Sequence, residues 1–182
     1  WAIAEILQYK DLRNIHHFIK IELPLEGNGR LEEIFRSRLD YSLSRLNINS
    51  VEGIIYEIDR KRSSNDKLNN PEFVEKNYQN IKEIFEKLRR ENKTKFLVCM
   101  AKNNFEMEIA IASDIFDSFA AYFNLFDIWP IDFFGKIERK HKGFIGIKPL
   151  RHGILTNTFL ETSPTCDMYT SAMFEDMPYF IS

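Results

Sequence analysis

Two runs decide the fold: Val51-Glu52-Gly53-Ile54-Ile55-Tyr56-Glu57-Ile58-Asp59-Arg60-Lys61 and Lys95-Phe96-Leu97-Val98-Cys99-Met100-Ala101. β-Branched and aromatic residues dominate the first, which predicts a strand. The second is apolar without a break from Phe96 to Ala101, the pattern of a strand covered on both faces. Between them lies a polar loop, Arg62 to Asn70, and then a helix signature. Asn70 can cap that helix, Pro71 suits its first turn and Glu72 complements its dipole. Val74, Tyr78, Ile81, Phe85 and Leu88 fall on one stripe. Glu72 with Lys76, Glu83 with Lys87 and Glu86 with Arg90 are i,i+4 pairs, each contributing ~0.2–0.5 kcal/mol. Strand, helix and buried strand form a crossover unit, which predicts that the two strands are parallel.

Working outward, Phe18, Ile19, Ile21 and Leu23 mark a strand that ends at Pro24. Leu31 to Leu46 reads as a helix with Leu31, Phe35, Leu39, Leu43 and Leu46 on its stripe, and Trp1 to Asn14 as another. Glu26-Gly27-Asn28-Gly29 is a turn whose two glycines do not make a phosphate loop. Downstream, Met107, Ile109 and Ile111 alternate like a returning antiparallel strand, and a helical reading of Glu106 to Ala112 stands beside it. Ser113 can cap a helix from Asp114 to about Phe126, and Pro130 interrupts the apolar run from Asp127 to Phe134. Gly143–Lys148 and Ile154–Leu160 read as short strands, and Ser163-Pro164 as the start of a last helix. The expectation is a single α/β domain over residues 1–182, with a core at about 16–134 and an extension at about 135–182. Its sheet is expected to be mixed, mostly parallel and flanked by helices, with a less regular C-terminal third.

At 182 residues the chain can bury roughly 70% of its unfolded surface. Hydrophobic residues at 44%, with 16 Phe, indicate a core rather than disorder. A net charge of -2 gives no global pull toward nucleic acid or acidic membranes. No apolar stretch reaches the ~18–20 residues of a membrane span. Cys99 and Cys166 make no motif, so free thiols in a reducing, cytoplasmic setting are expected. His16 and His17 point to opposite faces of a strand, and with His141 and His152 they form no ligand set. The chain begins at Trp1 without Met, which leaves a longer precursor open.

Chemistry is sought first where the central strand ends. Alternation puts Glu57, Asp59 and Lys61 on one face. Two carboxylates could hold Mg²⁺ or Mn²⁺ with Lys61 beside them to stabilise developing charge. Asp59-Arg60-Lys61 resembles the acid-x-Lys element of PD-(D/E)xK nucleases, which would imply a nucleic-acid substrate. The same residues also read as a solvated strand end. Separately, the order from Ile19–Leu23 through the helix from Leu31, the strand to Asp59, the helix from Pro71 and the strand to Ala101 resembles that of STAS domains. That resemblance implies a non-catalytic regulatory module, switched by phosphate on a serine after the central strand. Ser63 and Ser64 stand near the matching place, beside Arg60, Lys61 and Arg62. The acidic tail with Met168, Met173 and Met177 would suit docking to a protein partner. Basic stretches at Lys136–Lys142 and Lys87–Lys95 read as solvated surface. The leading expectation is therefore a protein-binding regulatory module without a cofactor. The alternative is a Mg- or Mn-dependent nuclease or phosphodiesterase on Glu57, Asp59 and Lys61. A third reading is a small-molecule binder using the loops Arg62–Asn70 and Lys102–Phe105.

Overall fold

A computed structural model describes residues 16–25 and 29–151. The elements run β1 (Phe18–Leu23), α1 (Leu31–Leu46), β2 (Gly53–Ile58), a 3₁₀ turn (Arg60–Arg62), α2 (Asn65–Leu68), α3 (Pro71–Arg90), β3 (Phe96–Met100), α4 (Asn104–Ser113), β4 (Ser118–Tyr122), α5 (Ile131–Arg139) and β5 (Gly143–Ile147). All five strands share one sheet in the order β1-β2-β3-β4-β5, and every neighbouring pair is parallel.

The helices form where their stripes demand. α1 buries Leu31, Phe35, Leu39 and Leu43 and stops at Asn47, whose φ of 54° gives a left-handed cap. α3 starts as its sequence predicts, the Asn70 side chain accepting from the Glu72 N–H at 3.0 Å. At the start of β2, Gly53 lets the Phe18 ring lie against the backbone, where a Cβ would push that half-exposed ring aside.

Two downstream segments differ from the sequence expectation. Glu106–Ala112 takes the helical alternative: Asn103 caps α4 by accepting from the Glu106 N–H at 2.9 Å, and Met107, Ala110 and Ile111 share its buried side. The expected helix from Asp114 is instead strand β4. Asp114 has φ 54° and ends α4, and Ser118–Tyr122 then enters the sheet, where Phe119, Ala120 and Ala121 are all buried. A strand covered on both faces is a continuous apolar run, and its aromatics mimic a helix stripe. The expected helix at 1–14, strand at 154–160, final helix, Cys166 and methionine tail lie outside the described residues.

The two faces of the sheet are unlike. Ile19, Ile21 and Leu23, Ile54, Tyr56 and Ile58, Leu97 and Cys99, and Phe119 and Ala121 pack with the helix stripes into the main core. The opposite face holds a smaller cluster of Val98, Met100 and Ala120 with Ile55, Tyr122, Ile145 and Ile147, all from strands. Strand order that never reverses carries every crossover helix to one side. Such a sheet has no switch point of the kind that places ligands in doubly wound folds. The same unreversed order is that of the strands in a (β/α) barrel wall, where functional groups gather at the strand ends.

Candidate active site at the C-terminal edge of the sheet

The helix-free face is lined, strand by strand, by Lys20 and Glu22, Ile55 and Glu57, Val98 and Met100, Ala120 and Tyr122, and Ile145 and Ile147. Glu22 pairs with Glu57 in register, and Glu57 with Met100. Apolar residues thus floor the face while charge collects toward the strand ends.

Glu57 is the hub. It is 5% exposed, and its two carboxylate oxygens face Lys20 Nζ at 2.8 Å and Lys102 Nζ at 2.6 Å. Lys20 also donates to Glu22 at 2.6 Å. Lys102 in turn donates to the Tyr122 hydroxyl at 3.1 Å and lies 4.5 Å from the centre of its ring. Lys148, just past β5, lies 4.2 Å from the same ring centre. The result is one chain of charge across the sheet: Glu22, Lys20, Glu57, Lys102, Tyr122, Lys148.

Around this chain the pKa values move in a connected way. Burial of Lys102 works to lower its pKa, but hydrogen bonds to Glu57 and Tyr122 outweigh it and leave the ammonium held above the ordinary lysine value. Lys20 behaves alike, burial being outweighed by Glu22 and Glu57. The hydrogen bond from Lys20 brings the Glu22 carboxyl below the usual range. Partial burial would raise the Tyr122 phenol, yet hydrogen bonds and charge from Lys102 and Lys148 bring it below the ordinary tyrosine value. A phenol acidified by cations is a better proton donor at neutral pH.

Loop groups fix these side chains. Glu106, 1% exposed, accepts from the Lys102 N–H at 2.9 Å and from the Arg60 guanidinium at 2.5 Å. Burial pushes its carboxyl above the usual range, against the pull of the Lys102 N–H and Arg60. Asn124 ties the loops after β4 and β5 together: its side chain donates to Asp127 at 2.9 Å and to the Lys148 carbonyl at 3.2 Å, and accepts from the Phe126 and Asp127 N–H groups.

Of the residues singled out in the sequence, only Glu57 belongs to this chain. β2 ends at Ile58, so alternation does not carry on to Asp59 and Lys61. Asp59 turns back to accept from the Lys61 and Arg62 N–H groups at 3.2 and 3.3 Å, with the Arg62 guanidinium 3.5 Å away. Lys61 is exposed. Arg60 serves Glu106, and Ser63 accepts from the Leu25 N–H at 3.0 Å while donating to the Asp59 carbonyl at 2.8 Å. Ser64 precedes α2 without a side-chain cap bond. Among the described residues no three His, Cys, Asp or Glu side chains are placed to hold a metal together. Glu57 is instead satisfied by two lysines, so the expected Mg or Mn pair of Glu57 and Asp59 is not assembled. Lys102 had stood only as the first residue of the loop Lys102–Phe105, and Lys20, Tyr122 and Lys148 were missed. The signal available for Lys102 was its place directly after a buried parallel strand, and Tyr122 was hidden by the helical reading of its segment.

No family profile matches the sequence, and no curated protein resembles it significantly. Solved structures do. The holo form of aldo-keto reductase AKR11C1 from Bacillus halodurans superposes with a TM-score of 0.62 at 14% identity, covering 85% of this chain and 49% of that one. The chain thus shares part of the fold of that reductase. MGS-M4, an aldo-keto reductase from a Medee basin deep-sea metagenome library, gives 0.60 at 14% identity over 96% of this chain and 58% of that one. Glycerol dehydrogenase AKR11B4 from Gluconobacter oxydans gives 0.51 at 17% identity over 73% and 36%. The chain therefore spans about half the length of these structures.

These likenesses correct several expectations. The STAS resemblance rested on element order and fails, because the structures that superpose on this chain are aldo-keto reductases, not STAS domains. The regulatory, protein-interaction reading fell with it, as did the nuclease alternative, since the structures that share the fold are reductases and a dehydrogenase. The expectation of no cofactor, or of Mg or Mn, is overturned likewise, one neighbour being a holo reductase. Among the described residues no helix is long and apolar enough to cross a membrane.

Proposed function

We propose that this chain carries the proton-donating part of an oxidoreductase that interconverts a carbonyl and an alcohol, with Tyr122 as the general acid. One observation carries the reading: the Tyr122 hydroxyl lies 3.1 Å from the Lys102 ammonium while Lys148 meets the same ring, at the end of a parallel strand. The reductase fold of the neighbours supports it. When bound, a nicotinamide cofactor, NADH or NADPH, supplies the hydride.

The residues present suit such a group. Beside Tyr122 the partly buried Ile145 and Ile147 offer apolar side chains against which a flat ring could rest, while Met100 and Ala120 of the same cluster are buried. Arg151, stacked 4.7 Å over Phe126 in the loop after β5, would meet a phosphate. Tyr122 donates its proton to the carbonyl oxygen as that oxygen gains charge. Lys102 stabilises the phenolate left behind, and Glu57 keeps Lys102 protonated and oriented. In the oxidative direction the phenolate takes the proton back. The free buried thiol of Cys99 suits a reducing, cytoplasmic setting.

The test is NADPH or NADH consumption at 340 nm with a panel of aldehydes and ketones, using wild type and Tyr122→Phe. Loss of a general acid costs about 10²–10⁴-fold in rate. Tyr122→Phe is expected to fall in that range with cofactor binding retained. A Tyr122→Phe enzyme as fast as wild type would overturn the assignment.

A further inference from the structure

We propose that Arg60 is a positioning residue for the proton-transfer pair Lys102 and Tyr122, acting through the buried carboxylate of Glu106. The proposal rests on the carbonyl-reducing reading above and adds a residue from outside the charged face of the sheet. Its origin is a capping arrangement that departs from the usual one. Asn103 caps α4 by accepting from the Glu106 N–H at 2.9 Å, so Asn103 and Glu106 stand as the two members of a capping box. In such a box the acid ordinarily reaches back to the N–H of the capping residue. Here it reaches one residue further and accepts from the Lys102 N–H at 2.9 Å. The residue that meets Tyr122 is thereby held by its main chain as well as by its ammonium group.

The Glu106 side chain is 1% exposed, and a carboxylate at that depth keeps its charge only beside a cation. Arg60, in the turn after β2, brings its guanidinium to 2.5 Å. Burial drives the Glu106 carboxyl up and Glu57 adds to the rise, while the Lys102 N–H and the charges of Arg60 and Lys102 oppose it. Without Arg60 the balance moves toward the neutral acid, which is a poorer acceptor for the Lys102 N–H. The Lys102 main chain would then be free to shift, leaving Glu57, 2.6 Å from its ammonium, as the remaining carboxylate anchor. The contact of that ammonium with the Tyr122 hydroxyl at 3.1 Å would loosen, and the attraction that acidifies the phenol falls with distance. One carboxylate thus joins the end of β2, the end of β3 and the start of α4, and Arg60 keeps it charged.

Tyr122 itself reports the result. Its ionisation is read as the difference in ultraviolet absorbance between each variant and the same variant carrying Tyr122→Phe. Arg60→Met is expected to move that ionisation up toward the ordinary tyrosine value. It should also lower kcat roughly tenfold or more with KM little changed, since a misplacement of about 1 Å costs up to ~10²-fold. Arg60→Lys should restore part of both. Arg62→Met, in the same turn but with a two-thirds exposed guanidinium on Asp59, should leave both unchanged. In a Glu106→Gln background Arg60→Met should add little, because the route is already cut. Where Arg60→Met does not fold, Arg60→Gln is expected to shift Tyr122 in the same direction. A merely structural Arg60 would lower the melting temperature and leave the Tyr122 ionisation where it was. That outcome overturns the proposal, as does a shift of full size in the Glu106→Gln background. The titration needs no turnover, so the two levels separate. A shifted Tyr122 in a protein that reduces no carbonyl sinks the redox reading and spares the positioning. An active wild type whose Tyr122 is unmoved by Arg60→Met does the opposite.

Discussion

Glu57 is the residue on which the site's order depends. A carboxylate with 7% of its side chain exposed serves two ammonium groups, and removing its charge takes from Lys102 its carboxylate partner and from Lys20 one of its two. Glu57→Gln is therefore expected to cost about 1–3 kcal/mol, less than a fully buried pair because Lys20 is partly solvated. The pH dependence has a definite sign. Lys20 and Lys102 are held above the ordinary lysine value, so their contribution is complete below that value, near ~10.4, and is lost as pH rises through the folded values. Glu22 is lowered, so its share is present above the ordinary carboxylate value and is lost as pH falls through the folded one. Glu106 is raised and acts in reverse, favouring the fold below the ordinary value and losing that contribution as pH rises. Urea denaturation of wild type and Glu57→Gln across pH should show a gap that is steady through neutrality and closes above about 10.4. A gap that widens there would contradict the lysine assignments.

At the scale of elements, the parts legible in the sequence were those with one apolar face. α1 and α3 fall where their stripes end and their caps stand, and β1, β2 and β3 follow their runs. β4 was not legible, because Phe116, Phe119 and Phe123 repeat at a helical spacing by coincidence of a strand packed on both sides. The strand-end site was half legible for the same reason: Glu57 stood out on an alternating strand, while its partners come from three other strands and loops that only the register brings together. α3 also holds a polar buttress that its stripe concealed. Asn77, 1% exposed, accepts from the Tyr56 hydroxyl at 2.5 Å and donates to the Leu25 carbonyl at 3.0 Å. Asn77→Leu should cost about 1–3 kcal/mol by leaving the Tyr56 hydroxyl unmet. Tyr56→Phe in that background should cost less than it does alone, a coupling that a double-mutant cycle of thermal melts would read. Strict additivity would mean that the two side chains act independently.

For the whole molecule, the decisive fact is that strand order never reverses. It puts every crossover helix on one side and gathers the free strand ends of the other face into a single charged edge. Sequence periodicity cannot show this, since the same alternation of strand and helix serves doubly wound and singly wound sheets. What the edge does depends on whether Tyr122 is acidified by the lysines around it. The difference in absorbance near 295 nm between wild type and Tyr122→Phe, followed through an alkaline titration, isolates that one phenol. We expect it to ionise below the ordinary tyrosine value, near ~10, and to return toward that value in Lys102→Met. A Tyr122 signal that rises with the ordinary tyrosines, unmoved by Lys102→Met, would contradict the account.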